Sequence, residues 1–469
     1  MVAHFRPRNF RGIFTVWVGL LLSCTSPAGG EFLTWSQVDY VYADDLGRFQ
    51  QIWTDAETRT VRIAMLGDSQ ETAPGGGGAV YVPRLNFEFY QRYQNSPETP
   101  IAIASNFGGG SPPGKYLLRG TSFGDATRLN SNQILPSINV RSHSTQDGLV
   151  NITGDSLGQI AILQHDADSV ASGAQLAGGT YFNTDGIVRA EIFAATNASS
   201  GEIQYQALPK DGSNISYFVP ATTQGTSSLG LESAAFEVKS HITEPLDFNG
   251  KSYMQLEVFG TDDNKRTDIL GFRYMNETYP HGVVVHSFAA GGYRTNSFLN
   301  NHAAAGPMLD AYGDWDAIWI HTGVNDAYKG AGKTAAQYKN DVEELIHLIR
   351  SPDWLNDITM KIIVSPEVYR ANGSATQDQE FDQYAGALKQ IAAADANVLV
   401  LNSRRLTEDL GWGVGGNPGQ FLFDIEHYND FGARALAAAE IQALVNHPEP
   451  TTSVIMIGFV LTMMTRRTR

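Results

Sequence analysis

At 469 residues, with 42% hydrophobic and 17% charged residues, the chain has the composition of an ordinary globular protein and a length that suits two domains, or one domain with a large insertion. Its formal net charge of −16 repels phosphate backbones and anionic membranes, which argues against nucleic-acid binding. The single cysteine, Cys24, excludes an intramolecular disulfide, so the fold must rest on its own core.

In chain order, Arg6, Arg8 and Arg11, an apolar stretch over 13–22 and small residues over 23–30 have the layout of a secretory signal peptide, and the apolar part is too short for a stable spanning helix. Cleavage after Ala28 is expected; Leu21-Leu22-Ser23-Cys24 resembles a bacterial lipobox, so lipidation at Cys24 is the alternative. Residues 31–60 mix aromatic and charged residues without a clean period and read as a lead-in packed on the next domain. Residues 61–70, VRIAMLGDSQ, form an apolar run that stops at Gly67 with Asp68 and Ser69 directly behind it. That is the pattern of a buried strand ending at the rim of a parallel sheet, where open α/β folds bind ligands; a capped turn fits the same three residues. The glycine run 75–78 lacks the Lys-Ser/Thr of a phosphate loop, and apolar spacing predicts a helix over 80–93.

From about 100 to 279 helical periodicity disappears. Alternating segments over 188–193, 202–207, 235–238, 254–259 and 269–274, separated by turn clusters, predict an inserted antiparallel β-sandwich or jelly roll. Asp166/Asp168 and Asp262/Asp263 are candidate calcium ligands, although isolated acidic pairs are commonly solvated turns. After 280 strands are expected over 283–285, 317–321, 361–364 and 398–401, and helices over 293–304, 334–350, 378–394 and 431–445. With the strand at 62–66 this alternation gives about five parallel strands in a three-layer α/β/α domain. The chain closes with Pro448-Glu449-Pro450, a short apolar stretch over 454–464 and Arg466, Arg467 and Arg469. That order resembles the PEP-CTERM sorting signal, which implies a temporary anchor cut by an exosortase and a cell-surface or released protein.

Serine hydrolysis needs a nucleophile, a base, a carboxylate to orient the base, and donors for the oxyanion. Candidates stand at successive strand ends: Ser69; Gly291 and Gly292; Asn325 in Thr322-Gly323-Val324-Asn325-Asp326; and, before the last helix, Asp424 three residues ahead of His427. Each pattern alone also fits an ordinary turn or cap.

Together Gly67-Asp68-Ser69, the second-strand glycine, Gly323-x-Asn325-Asp326 and Asp424-x-x-His427 resemble the four ordered blocks of the SGNH hydrolases, also called GDSL esterases. The resemblance covers 61–70 and about 283–445, and the insertion is foreign to the minimal pattern. It implies a flavodoxin-like domain with Ser69 as nucleophile, His427 as base and Asp424 as its partner. It also implies an oxyanion hole from the backbone N–H of Ser69, that of Gly292 (with Gly291 as rival) and the Asn325 amide, with no metal or organic cofactor.

The expected organisation is a signal peptide (1–28), a hydrolase domain in two parts (29–99 and 280–447), an inserted β-rich domain (100–279) and a sorting tail (448–469). An acidic, exported protein of this kind resembles carbohydrate esterases, so an O-acetylated polysaccharide is the leading substrate. A general acyl-esterase or lipase, an acetyltransferase and a non-catalytic surface binding protein are the alternatives. Tyr293, Arg294, Tyr328 and Trp412, in the loop 411–416, are candidate pocket walls. Expected partners are the acylated substrate, a signal peptidase and an exosortase-type enzyme.

Overall fold

The structure, a computed structural model, describes residues 40–68, 70, 81–98, 102–103, 141–143, 157–164, 186–196, 202–210, 228–230, 237–247, 253–260, 267–289, 293–299, 305–366, 375–412, 421–422 and 427–445. It opens with a two-residue strand β1 (Val41–Tyr42) and helix α1 (Leu46–Asp55), whose Phe49, Ile52 and Trp53 share one buried face at helical spacing. Strand β2 (Thr60–Leu66) is the apolar run ahead of Gly67, and α2 (Tyr81–Tyr93) follows it. The stretch 100–279 supplies β3 (Ala102–Ile103), β4 (Arg141–His143), β5 (Leu157–Gln164), β6 (Val188–Ala195), β7 (Glu202–Lys210), β8 (Ser228–Gly230), β9 (Val238–Ile242), β10 (Tyr253–Gly260) and β11 (Thr267–Asn276).

The α/β alternation then resumes with β12 (Gly282–Ser287), a 3-10 turn (Thr295–Ser297), α3 (Ala305–Tyr312), β13 (Ala317–Thr322), α4 (Val324–Tyr328) and α5 (Ala335–Arg350). It ends with β14 (Ile362–Pro366), α6 (Ala375–Asp382), α7 (Tyr384–Ala394), β15 (Val398–Leu401), α8 (Ser403–Asp409) and α9 (Asp430–Val445).

Strands β12, β2, β13, β14 and β15 lie side by side in that order, all parallel, and β1 closes the far edge antiparallel to β15. Numbered along the chain, the five parallel strands run 2-1-3-4-5, an order whose ligand crevice opens at the carboxyl ends of strands 1 and 3. Here those strands are β2 and β13. Ala64, Leu66, Ile318, Ile320, Ile362, Val364, Val398 and Val400 bury one sheet face against α5 and α7 through Val342, Leu345, Tyr384 and Leu388. On the other face α2 and α9 pack together, α2 against β12 and α9 against β15. Full burial of each such valine, leucine or isoleucine side chain contributes about 1.5–3 kcal/mol.

Strands β3 to β11 fall into two antiparallel sheets. One has the order β5-β10-β7-β8; the other has β3-β11-β6-β9 with β4 also on β11. The second sheet joins the α/β core directly: Phe193 of β6 meets the Tyr312 ring of α3 edge-on at 4.7 Å, and Tyr312 in turn meets Phe288.

Several expectations are corrected. The lead-in contains an edge strand and a helix. The helix expected over 293–304 is a 3-10 turn at Thr295–Ser297 and a separate helix from Ala305, and that over 378–394 is two helices broken at Gln383. Of the strand expected over 235–238, residues 235–236 lie outside the described residues, Glu237 is not in a strand, and Val238 opens β9. Asp166, Asp168, Asp262 and Asp263 lie outside the described residues, as do both chain ends. Among the described residues no helix is long and apolar enough to cross a membrane, and no group of acidic, histidine or cysteine side chains could hold a metal ion.

Candidate active site

The crevice between β2 and β13 is where the first and third sequence blocks meet. Leu66 and Ile320 are register partners, so the two chains leave the sheet side by side. Asp68 is fully buried and takes the Gln70 backbone N–H at 2.9 Å on Oδ1, while Oδ2 accepts from the Asn325 side-chain amide. The chain turns from β13 into α4 at Gly323, whose φ of 141° is open to glycine and strained for any L side chain. That turn sets Asn325 over Asp68. An amide carries two N–H groups, so the one bonded to Asp68 fixes the side chain and leaves a second donor. Ser69, between Asp68 and Gln70, lies outside the described residues.

The second block leaves β12 beside β2, where the Phe288 N–H donates to the Met65 carbonyl at 2.8 Å. Gly291 and Gly292 lie outside the described residues. The chain past them is pinned to the third block: the backbone N–H and the hydroxyl of Thr295 both donate to Asp326 Oδ2, at 3.0 and 3.1 Å. Asp326 is buried, and Lys333 Nζ donates to its Oδ1 at 2.7 Å. Burial pushes the Asp326 carboxyl up; Lys333 and the Thr295 donors oppose that shift.

The fourth block lies ahead of α9. Asp424 is outside the described residues, and His427 is half-buried. Its segment folds back on itself through a Leu422–Tyr428 bridge and an Asn429 N–H to Phe421 carbonyl bond of 2.9 Å. Asn429 then caps α9, its Oδ1 accepting the Gly432 N–H at 2.8 Å. From beneath, the Tyr428 ring meets Tyr81 of α2 at 5.4 Å and Trp412 at 5.7 Å. Tyr81 also stacks on His321 of β13 at 5.1 Å. Its hydroxyl and that of Ser403 donate to the buried carboxylate of Glu440 on α9. Burial pushes His321 below the usual imidazole range, against the attraction of Glu440 and Asp68. A polar and aromatic layer thus runs beneath the crevice from the His427 segment to β13.

The expected pocket walls divide into two pairs. Tyr293 is half-buried, its ring 5.7 Å from that of Phe298, and Arg294 is half-buried with its backbone N–H bonded to Ser297 Oγ. Both keep surface toward solvent. Trp412 is completely buried, stacked on Phe421 at 4.9 Å and packed against Tyr428 beside His427. Tyr328 is also buried, its hydroxyl donating to Asp378 at 2.5 Å and its ring set edge-on to Phe381. The Asp68–Asn325 and Thr295–Asp326 links and the Tyr81–Glu440 pair escaped sequence reasoning. The available signals were an aspartate next to the expected oxyanion asparagine and single polar residues, His321 and Glu440, inside apolar elements.

No family model and no curated protein matches the chain. Among solved structures it is similar to a peptidoglycan O-acetylesterase at 14% identity over 87% of this chain and 99% of that one, with a TM-score of 0.53. That likeness shows a shared fold, and its coverage exceeds what the α/β elements alone can supply. Shorter likenesses are to Axe2, an acetylxylan esterase from Geobacillus stearothermophilus (17% identity, 35% of this chain and 73% of that one, TM-score 0.27). Another is to a lipase/acylhydrolase from Enterococcus faecalis (20% identity, 36% and 80%, TM-score 0.26). These two are too partial to bear on the argument.

Proposed function

We propose that the protein is an exported serine esterase of the SGNH type that removes O-acetyl groups from a polysaccharide. The observation that carries this reading is the meeting of Asp68 and Asn325 at the switch point of the sheet, with the Thr295 segment tied in beside them. In support, residues flanking the expected nucleophile and the expected oxyanion glycine, Asp68 and Thr295, are bonded to Asn325 and Asp326 of the third block, and the segment of His427 contacts α2 through Tyr428 and Tyr81.

In this mechanism His427, oriented by Asp424, takes the Ser69 proton as Oγ attacks the acetyl carbonyl. The oxyanion is held by the backbone N–H groups of Ser69 and Gly292 and by the second N–H of the Asn325 amide. His427 returns the proton to the departing sugar hydroxyl, and water repeats the sequence on the acyl-serine to release acetate. Each oxyanion donor is worth about 3 kcal/mol, more than a hundredfold in rate.

Tyr293 and Arg294, which keep solvent-facing surface, are the residues we assign to the sugar side of the pocket. The two antiparallel sheets of the insertion, as a sandwich, would hold the polysaccharide beside it, an arrangement in keeping with the coverage of the likeness to a peptidoglycan O-acetylesterase. The N-terminal segment and the Pro-Glu-Pro tail support passage through a signal peptidase and an exosortase to the cell surface.

The test is acetate release from a panel of O-acetylated polysaccharides, peptidoglycan included, alongside p-nitrophenyl esters of increasing chain length. Preference for acetyl esters and for one glycan is expected; rising rates with acyl length would replace this reading with a general acyl-esterase.

A further inference from the structure

The half of the third block that the mechanism leaves unused is Asp326. It follows Asn325 directly, and its carboxylate oxygen Oδ2 holds two donors of Thr295, which stands three residues after Gly292. The Thr295 hydroxyl is also 2.7 Å from the hydroxyl of Thr322, the last residue of β13. The other oxygen of Asp326 takes Lys333 Nζ, which donates as well to Asp341 of α5, so the carboxylate is braced from the far side by a charged group. Lys333 is itself held by its backbone N–H on the Asp326 carbonyl at 2.8 Å and by the Tyr384 hydroxyl on its carbonyl at 2.8 Å. Asp326, Thr295 and Thr322 are all buried.

We infer that Asp326 and Thr295 form a positioning brace that sets the spacing between the two loop-borne oxyanion donors, the Gly292 N–H and the Asn325 amide. The inference rests on the esterase reading above. Two donors on separate loops act together only if both lie about 2.7–3.1 Å from one oxygen, and no backbone pairing joins β12 to β13, since β2 lies between them. The brace crosses that gap. A carboxylate that accepts a backbone N–H and a hydroxyl from the same residue fixes that residue in both position and rotation, and charge assistance stiffens the contact. Loss of the brace leaves the donors in place and lets their separation drift. Substrate binding should then be little affected, while transition-state stabilisation falls.

The variants are Asp326→Asn, Thr295→Val, which deletes the hydroxyl and keeps the branched shape, and Thr295→Ser, which restores it. The full chain is assayed for kcat and KM on p-nitrophenyl acetate and for the rate of inactivation by paraoxon, each normalised to folded protein from thermal unfolding. Expected are kcat losses of about 10-fold for Thr295→Val and about 100-fold for Asp326→Asn, with KM within about 2-fold, parallel losses in inactivation rate, and recovery to within about 2-fold in Thr295→Ser. If Asp326→Asn does not fold, Thr295→Val and its serine rescue decide the matter. Wild-type kcat in both disruptive variants, or losses that only track the folded fraction, overturn the brace and leave the esterase reading standing. A wild-type protein that neither turns over the ester nor reacts with paraoxon overturns both.

Discussion

Replacing Glu98 by glutamine removes one charge from the place where β11 meets the parallel sheet. Glu98 is buried, ends the segment after α2, and bridges to Met275 of β11 through its backbone. Its carboxylate accepts three bonds from Arg62 of β2, at 2.8, 3.0 and 2.9 Å, and one from His286 of β12 at 2.9 Å. Arg273 of β11 approaches to 3.5 Å and is shared with Glu191 of β6 at 2.7 Å. Burial would raise Glu98, but Arg273, His286 and Arg62 outweigh it and hold the carboxyl well below its usual range. Glutamine keeps the shape, yet it turns an amide toward two guanidinium groups and leaves Glu191 and Asp314 as their nearby anions. Breaking a buried pair in this way costs about 3–5 kcal/mol, and the lower end applies because the Arg62 side chain keeps 22% of its surface in solvent. Urea unfolding followed by tryptophan fluorescence is the assay, since Trp315 lies edge-on to His286 at 5.2 Å. In the Glu98→Gln, Arg62→Met cycle the double variant should recover part of the loss. A Glu98→Gln cost below about 1 kcal/mol, within the range of a surface pair, would refute the claim that this cluster welds β6 and β11 to the parallel sheet.

Burial holds His286 and His321 below the usual imidazole range, so between their folded values and about pH 6.5 the unfolded chain binds protons that the native state does not. Stability from these two groups is therefore complete above about pH 6.5 and is lost as pH falls below it, with Glu98 adding a further loss below about pH 4.3; a thermal midpoint that stays flat from pH 7 to 5 would contradict this. A Cβ on Gly432 would stand 2.0 Å from the Phe421 carbonyl oxygen, so Gly432→Ala must push the His427 segment off α9. We expect esterase activity to fall by about 100-fold while unfolding shifts by only about 1–3 kcal/mol, compared by kcat and urea titration on the same preparation. Tyr81→Phe deletes a hydroxyl donor to the buried Glu440 and should cost about 1–3 kcal/mol, read by urea titration.

The parallel sheet was legible because its strands are short continuous apolar runs: 63–66 and 398–401 are buried at every position. What periodicity could not find was short or broken. The two residues of β1 carry no pattern of their own, and the 378–394 stretch keeps a helical apolar period across the break at Gln383. In the candidate site the order of the four blocks was readable, but their contacts were not. Asp68 and Asn325 are 257 residues apart, and no local spacing announces their bond. The burial of Trp412 and Tyr328 was not legible, because an aromatic residue in a glycine-rich loop looks exposed in sequence; here one packs on Tyr428 beside His427 and the other on Phe381. The Asp326–Thr295 link joins two blocks that sequence reasoning treated as independent.

The central claim is that Ser69 carries the acyl group. It is tested most directly by acetate release from an O-acetylated polysaccharide by wild-type protein and by Ser69→Ala, both checked for folding by circular dichroism. The account predicts steady release by the wild type and none above background by the variant. Equal release by the two proteins would contradict it.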